Sequence, residues 1–313
     1  MSLLIDLGGT HIRFARSDGE VTTYKCCEYA SFFEAVDAYR KELGKKLPNS
    51  LVMGVPGPVS DDVFKFDNNP WTFSVPEIQD RLGFNEVTIV NDFEAAALAI
   101  PFLSEKDIYK VNTVSEDKSM PIVVMGAGTG LGQALLIPKE NRWIVLGAEG
   151  GHSTLPATNE QERALLAYAE KKFGHVSAER FVSGKGLCFT FEALHALNGT
   201  KAPQVKAHEI TRMAIEGDKI AQEAYAQMFA FWGTVAGNIA LMCGAFGGVY
   251  LTGGMIRQEG VLELFKKSPF MERLIEKGRR KAYMERIPVR VVTAHETAFL
   301  GLLYLSEEKN EEK

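Results

Sequence analysis

The chain opens with an apolar run, Leu3-Leu4-Ile5-Asp6-Leu7, of the length and composition of a strand. Gly8-Gly9-Thr10 supplies a turn, and His11-Ile12-Arg13-Phe14-Ala15 then alternates between polar and apolar as a returning strand should. From Ser31 to Leu43 the period changes, and Phe32, Ala35, Val36 and Tyr39 fall on one face of a helix. Leu51 to Val55 reads as a buried strand closed by Pro56-Gly57-Pro58. Val87 to Val90 reads as another, followed at once by Asn91-Asp92 and a helical run from Phe93 to Ile100. Pro101 ends that helix or marks a kink in it. Strands alternating with helices predict an α/β fold.

After a polar stretch from Ser104 to Ser119 the pattern restarts. Ile122 to Met125 is apolar, Gly126-Ala127-Gly128-Thr129-Gly130 turns, and Leu131 to Ile137 returns. A strand, a Gly-Thr turn and a strand thus occur twice, which predicts two domains of related topology; a length of 313 residues favours two domains as well. Helices fill much of the second half, notably from Ile220 to about Cys243. Gly233 to Met255 carries no charge and is long enough to span a bilayer, but seven glycines and Asn238 interrupt it. It predicts a buried helix end, a turn around Gly247-Gly248, a short strand and a second glycine turn, with no membrane span. The tail from Ser306 to Lys313 is charged and expected to fray.

Composition narrows the function. With 46% hydrophobic, 24% charged and 10% aromatic residues, the chain is neither disordered, collagen-like nor fibrous. A net charge of -5 without a basic cluster argues against a nucleic-acid surface and for a small-molecule partner. Cys26, Cys27, Cys188 and Cys243 form no C-x-x-C pair, no signal peptide precedes Leu3, and both features point to the reducing cytoplasm. The acceptor-like Asn198-Gly199-Thr200 carries no weight there.

Two glycine turns are the first candidate sites. Glycines let backbone N–H groups approach phosphate oxygens, and a threonine hydroxyl adds a donor. Gly8, Gly9 and Thr10 fit this use, with Asp6 placed to hold a hydrated Mg²⁺, although a plain hairpin needs the same glycines. Gly126, Gly128, Thr129 and Gly130 repeat the chemistry with glycines at every second position, which matches neither the dinucleotide fingerprint nor a P-loop. Two such turns could clamp a triphosphate. Gly253-Gly254, after the strand Val249 to Thr252, would let an adenine ring lie against backbone, or is only a tight strand exit.

Polar residues gather at other turns. Asn91-Asp92 could be a helix cap, or a carboxylate at the end of a sheet strand able to take a proton from a substrate hydroxyl. Glu149-Gly150-Gly151-His152 has the spacing of a metal pair on a helix, but its glycines favour a turn that offers both side chains to a polyol. Glu179 could complement a helix beginning near Ser177. Asn68-Asn69-Pro70-Trp71 is a polar turn carrying an aromatic.

Together these stretches resemble the bacterial glucokinase family, within the sugar kinase, actin and heat-shock ATPase superfamily. The likeness rests on DLGGT-x-x-R (Asp6 to Arg13), NNPWTFS (Asn68 to Ser74), IVNDFEAAALAIP (Ile89 to Pro101), GAGTGLG (Gly126 to Gly132), GAEGGHS (Gly147 to Ser153), GHVSAERFVSG (Gly174 to Gly184) and FGGVYLTGG (Phe246 to Gly254), in family order over nearly the whole chain. It implies a two-domain actin-like, ribonuclease H-like α/β fold with a deep cleft, residues 1–104 plus 295–313 forming the small domain and 105–294 the large one. It implies phosphorylation of glucose to glucose 6-phosphate by ATP with Mg²⁺, in a cytoplasmic homodimer. By the resemblance, Asn68, Asn91, Asp92, Glu149, His152 and Glu179 bind the sugar, Asp92 is the base, and the glycine loops bind ATP. His11 departs from the pattern, which has Asn after the first Gly-Gly-Thr. The cysteine-rich zinc motif of the related repressor-and-kinase (ROK) sugar kinases is missing, as in the non-zinc branch. A kinase for mannose or fructose, or a sensor of the same fold without turnover, are the alternatives; the presence of Asp92 argues against the sensor.

Overall fold

The computed structural model describes all residues except 1, 18–19, 58, 60–62, 67–68, 141, 296 and 312–313. The backbone divides into two compact units, Met1–Ser104 with Ala294–Lys313, and Glu105–Thr293.

The first unit is built on a five-stranded sheet. Its strands are β1 (Ser2–Leu7), β2 (His11–Arg16), β3 (Thr22–Lys25), β4 (Ser50–Val55) and, after the small hairpin β5 (Val63–Phe66) and β6 (Asn69–Ser74), β7 (Glu86–Asn91). The order is β3-β2-β1-β4-β7, antiparallel from β3 to β1 and parallel from β1 to β7. Helix α1 (Phe32–Leu43) starts where the hydroxyl of Ser31 accepts the N–H of Glu34, and ends at Gly44 in the left-handed region (φ 62°). Its apolar face, with Phe32 and Phe33, packs onto Phe14, Trp71 and Phe73. Helix α2 (Val75–Leu82) carries a complete capping box between Ser74 and Glu77. Helix α3 (Asp92–Leu98) follows β7 directly, and Ile100–Phe102, which includes Pro101, continues it as a single 3₁₀ turn. The last helix of the chain, Ala298–Glu311, returns to this unit and packs on α3, β1 and β4.

The second unit repeats that plan. Its strands are β8 (Ile108–Lys110), β9 (Ile122–Ala127), β10 (Leu131–Lys139), β11 (Arg142–Ala148), β12 (Gly248–Thr252) and β13 (Val289–Val292). The order is β11-β10-β9-β12-β13-β8. Three antiparallel strands followed by two parallel ones reproduce the first sheet, and β8 adds an antiparallel edge. The helices are α4 (Glu160–Phe173), α5 (Gly184–Leu197), α6 (Ala207–Glu216), α7 (Lys219–Cys243), α8 (Val261–Lys266), α9 (Phe270–Ile275) and the single turn α10 (Lys281–Met284).

Helix α7 accounts for the uncharged stretch. It is long and apolar enough to cross a membrane, yet Tyr225, Met228, Phe229, Phe231 and Trp232 are buried in the core of the unit. Its glycines serve a helix crossing: a methyl on Gly233 would sit 3.1 Å from Arg273 Cβ, and one on Gly237 would sit 3.0 Å from Leu274 Cα. Arg273 forks onto the fully buried Glu162 at 2.8 and 3.2 Å and donates to Thr234 at 2.8 Å, so this buried charge is paired and hydrogen-bonded.

Candidate active site

In the first unit the two glycine-turn strands close tightly. Gly8 donates its N–H to the His11 carbonyl at 2.8 Å, a contact that any residue at position 11 would make. Arg13 lies opposite Asp6 in the β1/β2 register and donates to its carboxylate at 2.9 Å. Thr10 is exposed, and Gly8 and Gly9 are half-buried. Cys26 ties the turn down from the side, its N–H bonding Thr10 at 2.9 Å and its thiol the Gly8 carbonyl at 3.6 Å.

Asp92 is the first residue of α3, half-buried at the end of β7. The cap preceding it is Asn91, whose Oδ1 accepts the N–H of Phe93 at 2.8 Å and of Glu94 at 3.4 Å. Glu94 returns a bond to the Asn91 N–H at 3.1 Å, and Asn91 Nδ2 reaches the Gly57 carbonyl at 2.8 Å. Both ends of the Asn91 amide are therefore engaged in fixing the strand-to-helix corner on which Asp92 stands. Gly54 on β4 lies beneath, and a methyl there would meet Asp92 Cα at 3.7 Å. Asn68 lies outside the described residues; Asn69 starts β6, and Trp71 is buried in the core with its indole N–H on the Tyr29 carbonyl at 3.2 Å.

The second unit braces its glycine turn from three sides. Gly128 donates to Gly130 at 2.8 Å and accepts from Gly184, the first residue of α5, at 2.9 Å. Ala127 accepts the N–H of Met255 at 3.0 Å. Gly253 sits at φ 100°, where a side chain would be strained and a methyl would lie 2.7 Å from Ala127 N, so this glycine is required by packing alone. Gly254 and Gly128 each have open space where a side chain would stand, and Thr129 is exposed. The N-terminus of α5, capped by Ser183, thus meets the turn directly, a feature the sequence pattern did not single out.

Glu179 does not complement an α-helix. It lies in the 3₁₀ turn Ala178–Arg180, and its Oε2 accepts the N–H of Leu131 at 3.0 Å. Gly130 must be glycine for this, since a methyl there would crowd the Glu179 carboxyl carbon at 3.1 Å. The Glu149–His152 spacing forms one 3₁₀ turn, Gly150–His152, after the end of β11. Glu149 Oε2 and His152 Nε2 stand 3.8 Å apart with side chains 63% and 62% exposed, open to a ligand rather than committed to the core. His175 fixes the turn through the His152 carbonyl at 3.1 Å. Among the described residues no group of three or more His, Cys, Asp or Glu side chains could hold a metal.

Duplicated sheets of this order, with a glycine turn between β1 and β2 in one and between β9 and β10 in the other, define the actin-like class of α/β proteins, which includes the sugar kinases. A solved glucokinase structure from an Antarctic psychrotroph superposes with a TM-score of 0.88 at 29% identity, covering 98% of both chains. A sequence model of the glucokinase family matches residues 3–309, and the chain belongs to that family. The glucokinase of Nitrobacter hamburgensis is 37% identical over 306 residues, 96% of this chain and 95% of its own. The bifunctional protein glk of Paraburkholderia xenovorans is 38% identical over 306 residues, which make up 48% of it, so the chain spans about half the length of that relative.

Proposed function

We propose that the chain transfers the γ-phosphoryl group of ATP to the 6-hydroxyl of glucose. The observation that carries the reading is the family match over residues 3–309, with a carboxylate standing at the end of β7. Asp92 takes the proton of the 6-hydroxyl as the oxygen forms its bond to the γ-phosphorus, and the bond from that phosphorus to the ADP oxygen breaks. Asn91 sets the corner that aims Asp92. Glu149, His152 and Glu179 hold the other hydroxyls; carboxylates and an imidazole suit a ring that offers donors and acceptors in alternation.

The turns at Gly8, Gly9 and Thr10 and at Gly126, Gly128, Thr129 and Gly130 receive the phosphates through backbone N–H groups, and the open face at Gly254 receives the base. Mg²⁺ fits as an ion carried by the nucleotide, because Asp6 offers one carboxylate, already facing Arg13, and no all-protein cage exists among the described residues. When bound it neutralises phosphate charge. Among the described residues no cysteine forms a disulfide, as suits a reducing compartment.

A coupled assay across hexoses and phosphoryl donors tests the reading. Glucose with ATP is expected to give the highest kcat/KM, and a clear preference for mannose, fructose or a different donor would overturn it.

A further inference from the structure

The same strand that leaves the second glycine turn carries a side chain with no evident structural use. Gln133 of β10 is 7% exposed, and its Nε2 is buried without a hydrogen-bond partner among the described residues. A buried amide donor left unpaired costs about 1–3 kcal/mol, so an apolar side chain of similar length would make a more stable core.

The surroundings of this amide are built around it. Gln133 pairs with Ala148 across the β10/β11 ladder, one residue before Glu149. The next residue, Gly150, lies flat on the carboxamide, where a methyl would stand 2.9 Å from Cδ. Gly151 packs equally closely on Leu131, 3.2 Å from its Cβ. Neither glycine has a positive φ. Both are therefore there for room, and they lay the Glu149–His152 turn directly on the face of β10 that carries Gln133. Glu149, meanwhile, has an exposed carboxylate that stands 3.8 Å from His152 and accepts no hydrogen bond among the described residues. A donor without an acceptor and an acceptor without a donor thus flank the same turn.

We infer that Gln133 is a positioning residue of the sugar site: its carboxamide N–H donates to the Glu149 carboxylate when that carboxylate engages a sugar hydroxyl. The inference rests on Glu149 being a sugar ligand. It costs stability in the free protein and returns the cost on binding, as preorganising polar groups do.

Calorimetric titration of the full chain with glucose, without nucleotide, tests it alongside thermal melts. Gln133→Met should melt at the same temperature or higher, bind glucose about ten- to a hundredfold more weakly, the scale of one charge-assisted bond, and keep its ATP KM. In a Glu149→Ala background Gln133→Met should have no further effect, because the two act as one unit. Gln133→Glu, which keeps the shape but replaces the donor by an acceptor, should bind glucose more weakly than Gln133→Met. Unchanged glucose binding in Gln133→Met or Gln133→Glu, with Glu149→Ala impaired, would make Gln133 a structural residue. Unchanged binding in Glu149→Ala as well would remove the sugar-site reading itself, and this inference with it.

Discussion

Asp92 stands half-buried where the end of β7 meets the start of α3. Asn is equally at home at a helix start, so Asp92→Asn should fold and bind glucose while kcat falls by roughly two to four orders of magnitude, the usual scale for a general base. Near-normal turnover in the purified variant would leave Asp92 as a corner residue only. Glu149 and His152 make a different prediction because they are exposed and support nothing in the core. Glu149→Gln and His152→Ala should raise the glucose KM by an order of magnitude or more and move the ATP KM little, since unpaired polar groups penalise the sugar alone. Glucose binding should also survive chelation of divalent ions; its loss would turn this turn into a metal site.

Among elements, the glycine turn at Gly126 to Gly130 separates two roles that look alike in sequence. Gly128 faces open space, so Gly128→Val should leave the melting temperature nearly unchanged while raising the ATP KM. Gly130 lies against the Glu179 carboxylate, so Gly130→Ala should break the bond to Leu131 and lower stability as well. Equal effects of the two would refute the distinction. On β13, next to the edge strand β8, Arg290 is almost fully buried and bonds Glu116 at 2.5 Å and the Asn112 carbonyl at 3.0 Å. Burial works to raise the Glu116 pKa, but its own backbone N–H and the Arg290 guanidinium outweigh burial and hold it below the usual carboxylate range. A depressed folded pKa contributes stability above the unfolded value of about 4.3, and that contribution is lost as pH falls through the folded one. Glu116→Gln should therefore cost on the order of 1–2 kcal/mol at pH 7, and the difference should vanish in strong acid. Urea melts across pH would show it. The turns, the strand ends and the Asn91 cap were legible because each is written in adjacent residues. The bond from the Leu131 N–H to Glu179 was not legible, because the two residues lie 48 positions apart. Gln133 was invisible because one polar residue in an alternating strand looks like a surface position until the turn covers it.

Across the whole molecule, the repetition was legible as a restart after Ser119, and the structure gives it a form: two sheets of one strand order. The bilayer-length segment could be resolved from its glycines, although only the structure reveals that Gly233 and Gly237 seat α9. The long-range return of the last helix had a source in the resemblance and none in local pattern. Gly301 on that helix approaches α3 so closely that a methyl would lie 2.8 Å from Ala95 C, a backbone atom that cannot give way. Gly301→Val should thus lower the melting temperature by several degrees and depress kcat through the α3 corner, and an active, equally stable variant would dissociate the helix from the site.

That return has a consequence for synthesis. On the ribosome, residues 105–293 emerge as one contiguous stretch, whereas the unit carrying Asp92 waits for residues 294–313 to leave the exit tunnel. Leu4, Val52 and Ala95 bury against Phe299 and Leu302 only then. Asp92 is translated long before residues 294–313 and set in place only with them, so a nascent chain stalled before residue 294 holds no finished corner at Asp92.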